Sequence, residues 1–291
     1  MTRLCPSRPR ETKAAHRSGP RLTRWAPGGI PKDNMDERTR EAKLLQWVQR
    51  QSGVSRRKAQ ELIEAGEVTV DGDVVADPFL SLTTGAIERL SLRGHPLSLD
   101  APQPRVYRYH KPSGVLCSHD DPHYGNTVGR ILRAEGFIGY AWAGRLDQDA
   151  EGLILLTNDG DLVHRLSHPR YEVRKTYHVW INRLPRKPAM DRILSEMSGG
   201  IVDRGEPLRI LSGRIEGRPP YVRLVLTEGK KHEIKRLFAH FNLSVVRLLR
   251  VAIGPTEIGG LPAGAIERLP PDEEERLRRG TASTEAASDL D

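Results

Sequence analysis

The sequence predicts an α+β fold: a large domain on a mixed, mostly antiparallel sheet with flanking helices, behind a smaller unit of two helices and short strands. Three observations predict it. From residue 106 onward, apolar runs of strand length are interleaved with amphipathic stretches of helix length, the pattern of a layered domain. Many strand candidates follow one another closely, which favours a mixed, mostly antiparallel sheet over a doubly wound one. Hydrophobic residues make up 37% of the 291, enough for a core, while no apolar run nears the roughly 18–20 residues of a membrane span.

The elements follow in order. Residues 1–37 hold many Arg and Lys, several Pro and Gly and few aliphatic side chains, so they are read as a disordered basic tail, either solvated or binding RNA non-specifically. Residues 38–98 form the first folded unit. Ala42, Leu45 and Val48 fall at helical spacing. Ser55 is placed to cap a second helix, with Arg56, Arg57 and Lys58 in its first turn and Ala59, Leu62 and Ile63 facing inward. Gly66 stops it, and "VTVDGDVV" reads as two strands joined by an Asp-Gly turn. Basic residues in a first turn oppose the helix dipole, which fits either a phosphate contact or a solvated charged face. Residues 99–105, "LDAPQPR", are a linker.

The second unit spans 106–270. "VYRYHKPSGVLCS" reads as strand, turn, strand; "YAWAGRLD" and "GLILLTND" as two more strands. A short helix from Gly160 to Ser167 stops before Pro169. "KTYHVWI", "YVRLVLTE" and "SVVRLLRVAIG" are strands, and "PAMDRILSEMSGG" and "KKHEIKRLFAHFN" are helices. Residues 271–291 read as a flexible C-terminal tail that begins as a frayed helix.

Charge and cysteine content narrow the function. A formal charge of +8 suits an anionic partner. Cys5 and Cys117 make neither a disulfide framework nor a zinc pattern, which fits a reducing cytoplasm, and no apolar signal core follows the basic start. No GxGxxG follows a strand, "EGKK" lacks the upstream glycine of a phosphate loop, and "HEIKR" has Arg236 where a zinc-protease helix needs histidine. No metal and no cofactor are expected.

What remains is "GRLDQDAEGLILLTNDG", residues 144–160, where Asp147 and Asp149 stand directly before an apolar run. Taken by themselves the two carboxylates admit four readings: a divalent-metal pair, a glycosidase acid/base pair, one reacting group beside one turn residue, or two turn residues.

Two resemblances decide among them. "SRRKAQELIEAGEVTVDGDVV" resembles the small RNA-binding domain first known from a ribosomal small-subunit protein, the S-four-like or alpha-L module, which implies that Arg56, Arg57 and Lys58 face RNA. "GRLDQDAEGLILLTNDGDL" resembles the signature of the RsuA-type RNA pseudouridine synthases. "HPRYEVRKTYHV", "LTEGKKHEIKRLF" and "VVRLLRVAIGP" follow in that family's order, over about residues 108–270. The resemblance implies a catalytic domain that isomerises uridine to pseudouridine in ribosomal RNA without a cofactor. Its partner is then ribosomal RNA or an assembly intermediate, with the small-subunit RNA slightly favoured. The alternative is a non-catalytic RNA-binding or ribosome-assembly factor. The chain is expected to act as a monomer, away from membranes.

Carried over, Asp147 is the catalytic aspartate, Tyr177 stacks on the target base and is a candidate general base, and Lys235 is the cation paired with Asp147. Leu248 lines the pocket, and Asp149 and Gly152 set the turn. Arg145, Lys230, Lys231, Arg236 and Arg250 are assigned to substrate binding, in a basic cluster that also includes Arg247, Arg170, Arg174 and Lys175; Trp180 reads as core. Ala150 and Glu233 depart from the family's usual Thr or Ser and Gln. A carboxylate in a closed pocket tends to gain a proton, and a cation within about 4–6 Å lowers its pKa by roughly 1–3 units, which is the work expected of Lys235. The target base has to leave its helix to be reached, at a cost of a few kcal/mol, and stacking on an aromatic ring returns about 1–3 kcal/mol.

Overall fold

The computed structural model describes residues 41–83, 85–99 and 104–282. The expected basic tail, residues 100–103 of the linker and the chain beyond 282 lie outside them.

In the first unit, β1 (Glu41–Lys43) leads into α1 (Leu44–Ser52) and α2 (Arg56–Glu64), followed by β2 (Val68–Val70), β3 (Asp73–Val74), β4 (Ser81–Thr83), β5 (Leu90–Leu92) and β6 (His95–Pro96). Ala42 lies in β1, paired with Leu82, rather than in the helix that its spacing suggested. Leu44, Leu45, Trp47 and Val48 of α1 bury against Ala59 and Ile63 of α2 in one cluster. The Ser55 hydroxyl accepts the Lys58 N–H at 3.2 Å, the N-cap that the sequence signalled. The β2–β3 turn places Asp71 and Gly72 at φ 52° and 100°, the left-handed pair that an Asp-Gly hairpin needs.

The second unit runs β7 (Val106–Lys111), α3 (Val128–Ala134), β8 (Ala141–Ala143), β9 (Glu151–Thr157), α4 (Gly160–Ser167), β10 (Lys175–Ile181), α5 (Lys187–Gly199), β11 (Ile201–Asp203), β12 (Glu206–Leu208), β13 (Ser212–Glu216), β14 (Tyr221–Leu226), α6 (Glu233–His240), β15 (Val245–Ile253), β16 (Thr256–Glu257), β17 (Ile266–Arg268) and α7 (Pro271–Ala282). Among the described residues its main sheet has the order β13-β14-β10-β15-β9-β7-β17, with β16 beside β15 and β8 beside β9. The β9–β15 pair is parallel and the other pairs are antiparallel. The second strand expected in "VYRYHKPSGVLCS" is a loop instead, tied by a single bridge from Leu116 to Thr127.

Strand β9 explains the apolar run that follows the two aspartates. Its side chains alternate between two cores: Ile154 and Leu156 join one face with Leu194 of α5 and Leu237 of α6, and Leu153 and Leu155 join the other with Leu162 of α4 and Leu277 of α7. A strand buried on both faces has no polar side to show. Helix α7 corrects the expected flexible tail from 271: the chain is helical to 282, Leu277 is fully buried, and Arg278 pairs with Asp159, the N-cap of α4.

Candidate active site

The loop from Gly144 to Ala150 joins β8 to β9 and carries both aspartates. Several contacts hold it from below. The Leu146 side chain is buried in the core, and the Ala150 N–H returns to the Asp147 carbonyl at 3.2 Å. Gly152 starts β9 at φ 116°, where a Cβ would lie 2.3 Å from the Arg250 carbonyl oxygen and 2.6 Å from its nitrogen, so only glycine lets β9 lie against β15 here.

Two buried cations grip the same loop. Lys111 of β7 is fully buried and its ammonium donates to the carbonyls of Val115 (2.8 Å), Pro112 (2.9 Å) and Gln148 (3.3 Å), the last lying between the aspartates. Burial pulls its pKa down to about 8, partly countered by Cys117, Asp149 and Asp147. Arg250 of β15 is 1% exposed and donates to the carbonyls of Leu153 (2.8 Å) and Arg145 (3.2 Å). The guanidinium thus braces the loop from within the cleft lining, and its Nη2 has no hydrogen-bond partner among the described residues.

Above the loop lies a cleft of about 1040 Å³. Asp147, Tyr177, Lys235, Arg145, Leu248, Lys230, Lys231 and Arg250 all line it, so the structure brings together residues up to 105 positions apart in the chain. Tyr177 on β10 and Leu248 on β15 are each 7% exposed and belong to the core that reaches up beneath the cleft. Arg145 and Lys231 are exposed, while Lys230 is tied to Glu228 and to the Pro207 carbonyl, both at 2.6 Å.

The geometry adds a second carboxylate to the expected ion pair of Lys235 with Asp147. Its ammonium binds both oxygens of Asp149, at 2.6 and 2.7 Å, and is 3.6 Å from Asp147. Asp149 therefore does more than shape the turn: the Lys235 hydrogen bond holds its carboxyl below the usual range. Asp147 accepts no hydrogen bond among the described residues. Its cationic neighbours are Lys235 at 3.6 Å and His232 at 3.7 Å, the latter charged only when protonated. Ion-pair proximity without hydrogen bonds leaves the lone pairs of Asp147 open toward the cleft.

Other expected cationic contacts differ as well. Arg236 pairs with Asp203 and Glu206 and is absent from the cleft lining, so it fastens the β11–β12 hairpin rather than substrate. Arg247 pairs with Glu151 and lies 4.5 Å over the ring of Trp180, which is half-buried rather than core. Lys175, expected as a flanking surface charge, is 7% exposed, bonded to the Val173 and Thr227 carbonyls, and pulled to about 8 by burial and by Arg250. Burial raises the Glu233 carboxyl, which caps the Lys230 N–H at 3.0 Å. Arg56, Arg57 and Lys58 are exposed on α2.

Reading the sequence missed Lys111 and His232. The alternation Tyr107, Tyr109, Lys111 in β7 puts a lysine at an inward position, and that was the available signal for a buried cation. For His232 there was none, because its closeness to Asp147 depends on how α6 meets the aspartate loop.

A rigidly held carboxylate beside an aromatic ring, in a cleft edged by lysines and set behind a basic helical module, defines an enzyme for a polyanionic substrate. Comparison with known proteins gives the class its name. The family model for RNA pseudouridylate synthase matches residues 105–240, and that for the S4 domain matches residues 43–86. Ribosomal small subunit pseudouridine synthase A of Vibrio cholerae is 36% identical over 205 residues, covering 69% of this chain and 84% of that protein. Ribosomal large subunit pseudouridine synthase B of Bacillus subtilis is 32% identical over 240 residues, covering 80% and 95%. A crystal structure of a pseudouridylate synthase superposes with a TM-score of 0.53 at 28% identity, covering 81% of this chain and 99% of that one. The chain belongs to the RNA pseudouridine synthase family and carries its S4 module at the N-terminal side.

Proposed function

We propose that this enzyme isomerises one uridine of ribosomal RNA to pseudouridine, with Asp147 as the reacting carboxylate. The observation that carries the assignment is the position of Asp147: on a loop clamped by Lys111 and Arg250, open to the cleft, with Tyr177 and Leu248 lining the same cavity.

The reaction breaks the bond between ribose C1′ and uracil N1, turns the base and joins C1′ to C5. The C5 proton is lost and N1 gains one, so composition and oxidation state balance without a redox partner. An ionised Asp147 attacks the sugar or the base, or stabilises positive charge as the bond opens. Tyr177 offers its ring face to the extruded uracil and its hydroxyl to the C5 proton. Lys235, held on Asp149, keeps a positive charge beside Asp147 without occupying its oxygens. Arg145 and Lys231 meet the RNA phosphates at the rim, while Arg56, Arg57 and Lys58 anchor RNA on the S4 module. On this reading the enzyme works as a cytoplasmic monomer without a cofactor.

The Vibrio relative's name supports a small-subunit target and the Bacillus relative's name a large-subunit one; the former is favoured. Mapping pseudouridine in both ribosomal RNAs, from cells with and without the gene, distinguishes them. One position should lose its modification and regain it with the wild-type gene but not with Asp147→Asn. Full restoration by Asp147→Asn would overturn the role of Asp147, and no lost position in either RNA would overturn the target class.

A further inference from the structure

Besides Tyr177, the cleft is lined by Trp142, whose ring packs on His119, and by Tyr124, which the reaction does not use. Tyr124 sits in the loop between β7 and α3, lines the same cavity as Asp147 and Tyr177, and is 48% exposed. A single exposed aromatic residue is ordinary on a protein surface. This one is displayed by a loop tied down at several points. Asp121 accepts the N–H groups of His123 (2.9 Å) and Tyr124 (3.1 Å). Arg130 of α3 binds Asp120 at 2.7 Å and reaches the Gly125 carbonyl, and the Ser118 hydroxyl donates to the Asp120 carbonyl at 2.7 Å. The loop also lies directly on α3 at Gly129, where a Cβ would come within 2.2 Å of the His119 carbonyl oxygen. The Tyr124 ring makes no ring contact among the described residues, so the loop fixes its backbone and leaves its face free.

The cleft lining offers both apolar and cationic surface. Leu116, Cys117, Tyr124 and Trp142 supply apolar and aromatic surface, whereas Lys230, Lys231 and Lys235 supply charge. A single nucleic-acid strand calls for both, since its base faces stack on aromatic rings and its phosphates attract cations. Base–aromatic stacking is tolerant of sequence and is strongest on a ring that loses little freedom on binding.

We propose that Tyr124 is a second stacking residue, whose ring takes a base next to the extruded uridine and holds the strand open while Tyr177 takes the uridine itself. This rests on the reading that RNA enters the cleft.

The test is release of tritium from ribosomal RNA labelled at uridine C5, together with binding of that RNA to the inert Asp147→Asn protein. Tyr124→Ala should raise KM about 5- to 150-fold, the fold-change of one lost stacking contact, with the loss falling on KM more than on kcat. It should weaken binding by Asp147→Asn protein by a similar factor. Tyr124→Phe should restore both, because stacking needs the ring and not the hydroxyl. Unchanged KM and binding in Tyr124→Ala, or a Tyr124→Phe loss as large as that of alanine, would overturn the proposal. If the wild-type enzyme released no tritium, the functional reading would fail by itself. The binding measurement would still decide Tyr124, with weaker binding supporting the stacking role and equal binding refuting it.

Discussion

On α2 the side chains of Arg57 and Lys58 are 91% and 54% exposed and share one partner, Glu61. Beneath the cleft, Lys111 and Arg250 are 0% and 1% exposed and hold backbone carbonyls. Both regions are cationic, and they work in opposite ways. Exposed pairs are screened by water and salt and add little to stability, so these side chains are free to exchange a carboxylate for an RNA phosphate. Buried cations are costly to desolvate and persist where backbone carbonyls accept their hydrogen bonds, as they do from Lys111 and from Nε and Nη1 of Arg250, so they fix geometry. A basic sequence thus contains two kinds of cation, and burial, not charge, separates them.

The largest expected effect comes from breaking the buried set. Lys111→Met removes the side-chain donor of the Pro112 and Val115 carbonyls and leaves Gln148 only the Gly114 N–H, and should cost about 1–3 kcal/mol in urea denaturation together with most of the activity. An unchanged urea midpoint would mean that the clamp on the aspartate loop is dispensable.

Next is pH. Lys175 has its pKa lowered to about 8 in the folded protein, by burial first and Arg250 second. Between that value and the ordinary lysine value, the unfolded chain holds a proton that the folded one has released, so stability rises with pH across this window. Relative to Lys175→Met, the wild-type protein should gain about 1–2 kcal/mol from pH 7.5 to 9.5. Comparing the two proteins cancels other titrating groups. A pH-independent difference would show the lysine to be solvated.

The pair of carboxylates gives a smaller contrast. Asp149→Asn removes the hydrogen-bonded partner of Lys235 and should lower kcat about tenfold by single-turnover assay, the scale of one misplaced positive charge, whereas Asp147→Asn should leave no measurable turnover. Equal losses would make the two residues a single functional unit. Smallest of all, Arg57→Gln with Lys58→Gln should leave the urea midpoint unmoved, weaken RNA binding several-fold and flatten its salt dependence by one to two contacts' worth. An unaltered salt slope would place the RNA elsewhere than on α2.

Much of this architecture was legible before any coordinates. The run Leu153–Leu156 announced a buried strand, "KTYHVWI" coincides with β10 from Lys175 to Ile181, and Ser55 caps α2. These features follow from local rules of periodicity, turn chemistry and capping, which act within a few residues. Asp147 was legible for a different reason: the carboxylate pair left four readings open by local logic, and only the resemblance of "GRLDQDAEGLILLTNDGDL" to a family signature singled it out. The role of Arg236 was not legible, because a solvated lysine or arginine and one clasped by Asp203 and Glu206 look alike in a sequence.

The order of residues along the chain determined most of the elements and, through the shared signature, the carboxylate that faces the cleft. Only the tertiary structure decided that Lys235 hydrogen-bonds to Asp149 while pairing with Asp147, that Lys111 and Arg250 are internal braces, and that Tyr124 joins the same cavity. The physical reason is range. Helix and strand preferences are settled between near neighbours, but the partner of a charge is settled by whichever distant groups packing brings within about 4 Å and by how much water remains between them.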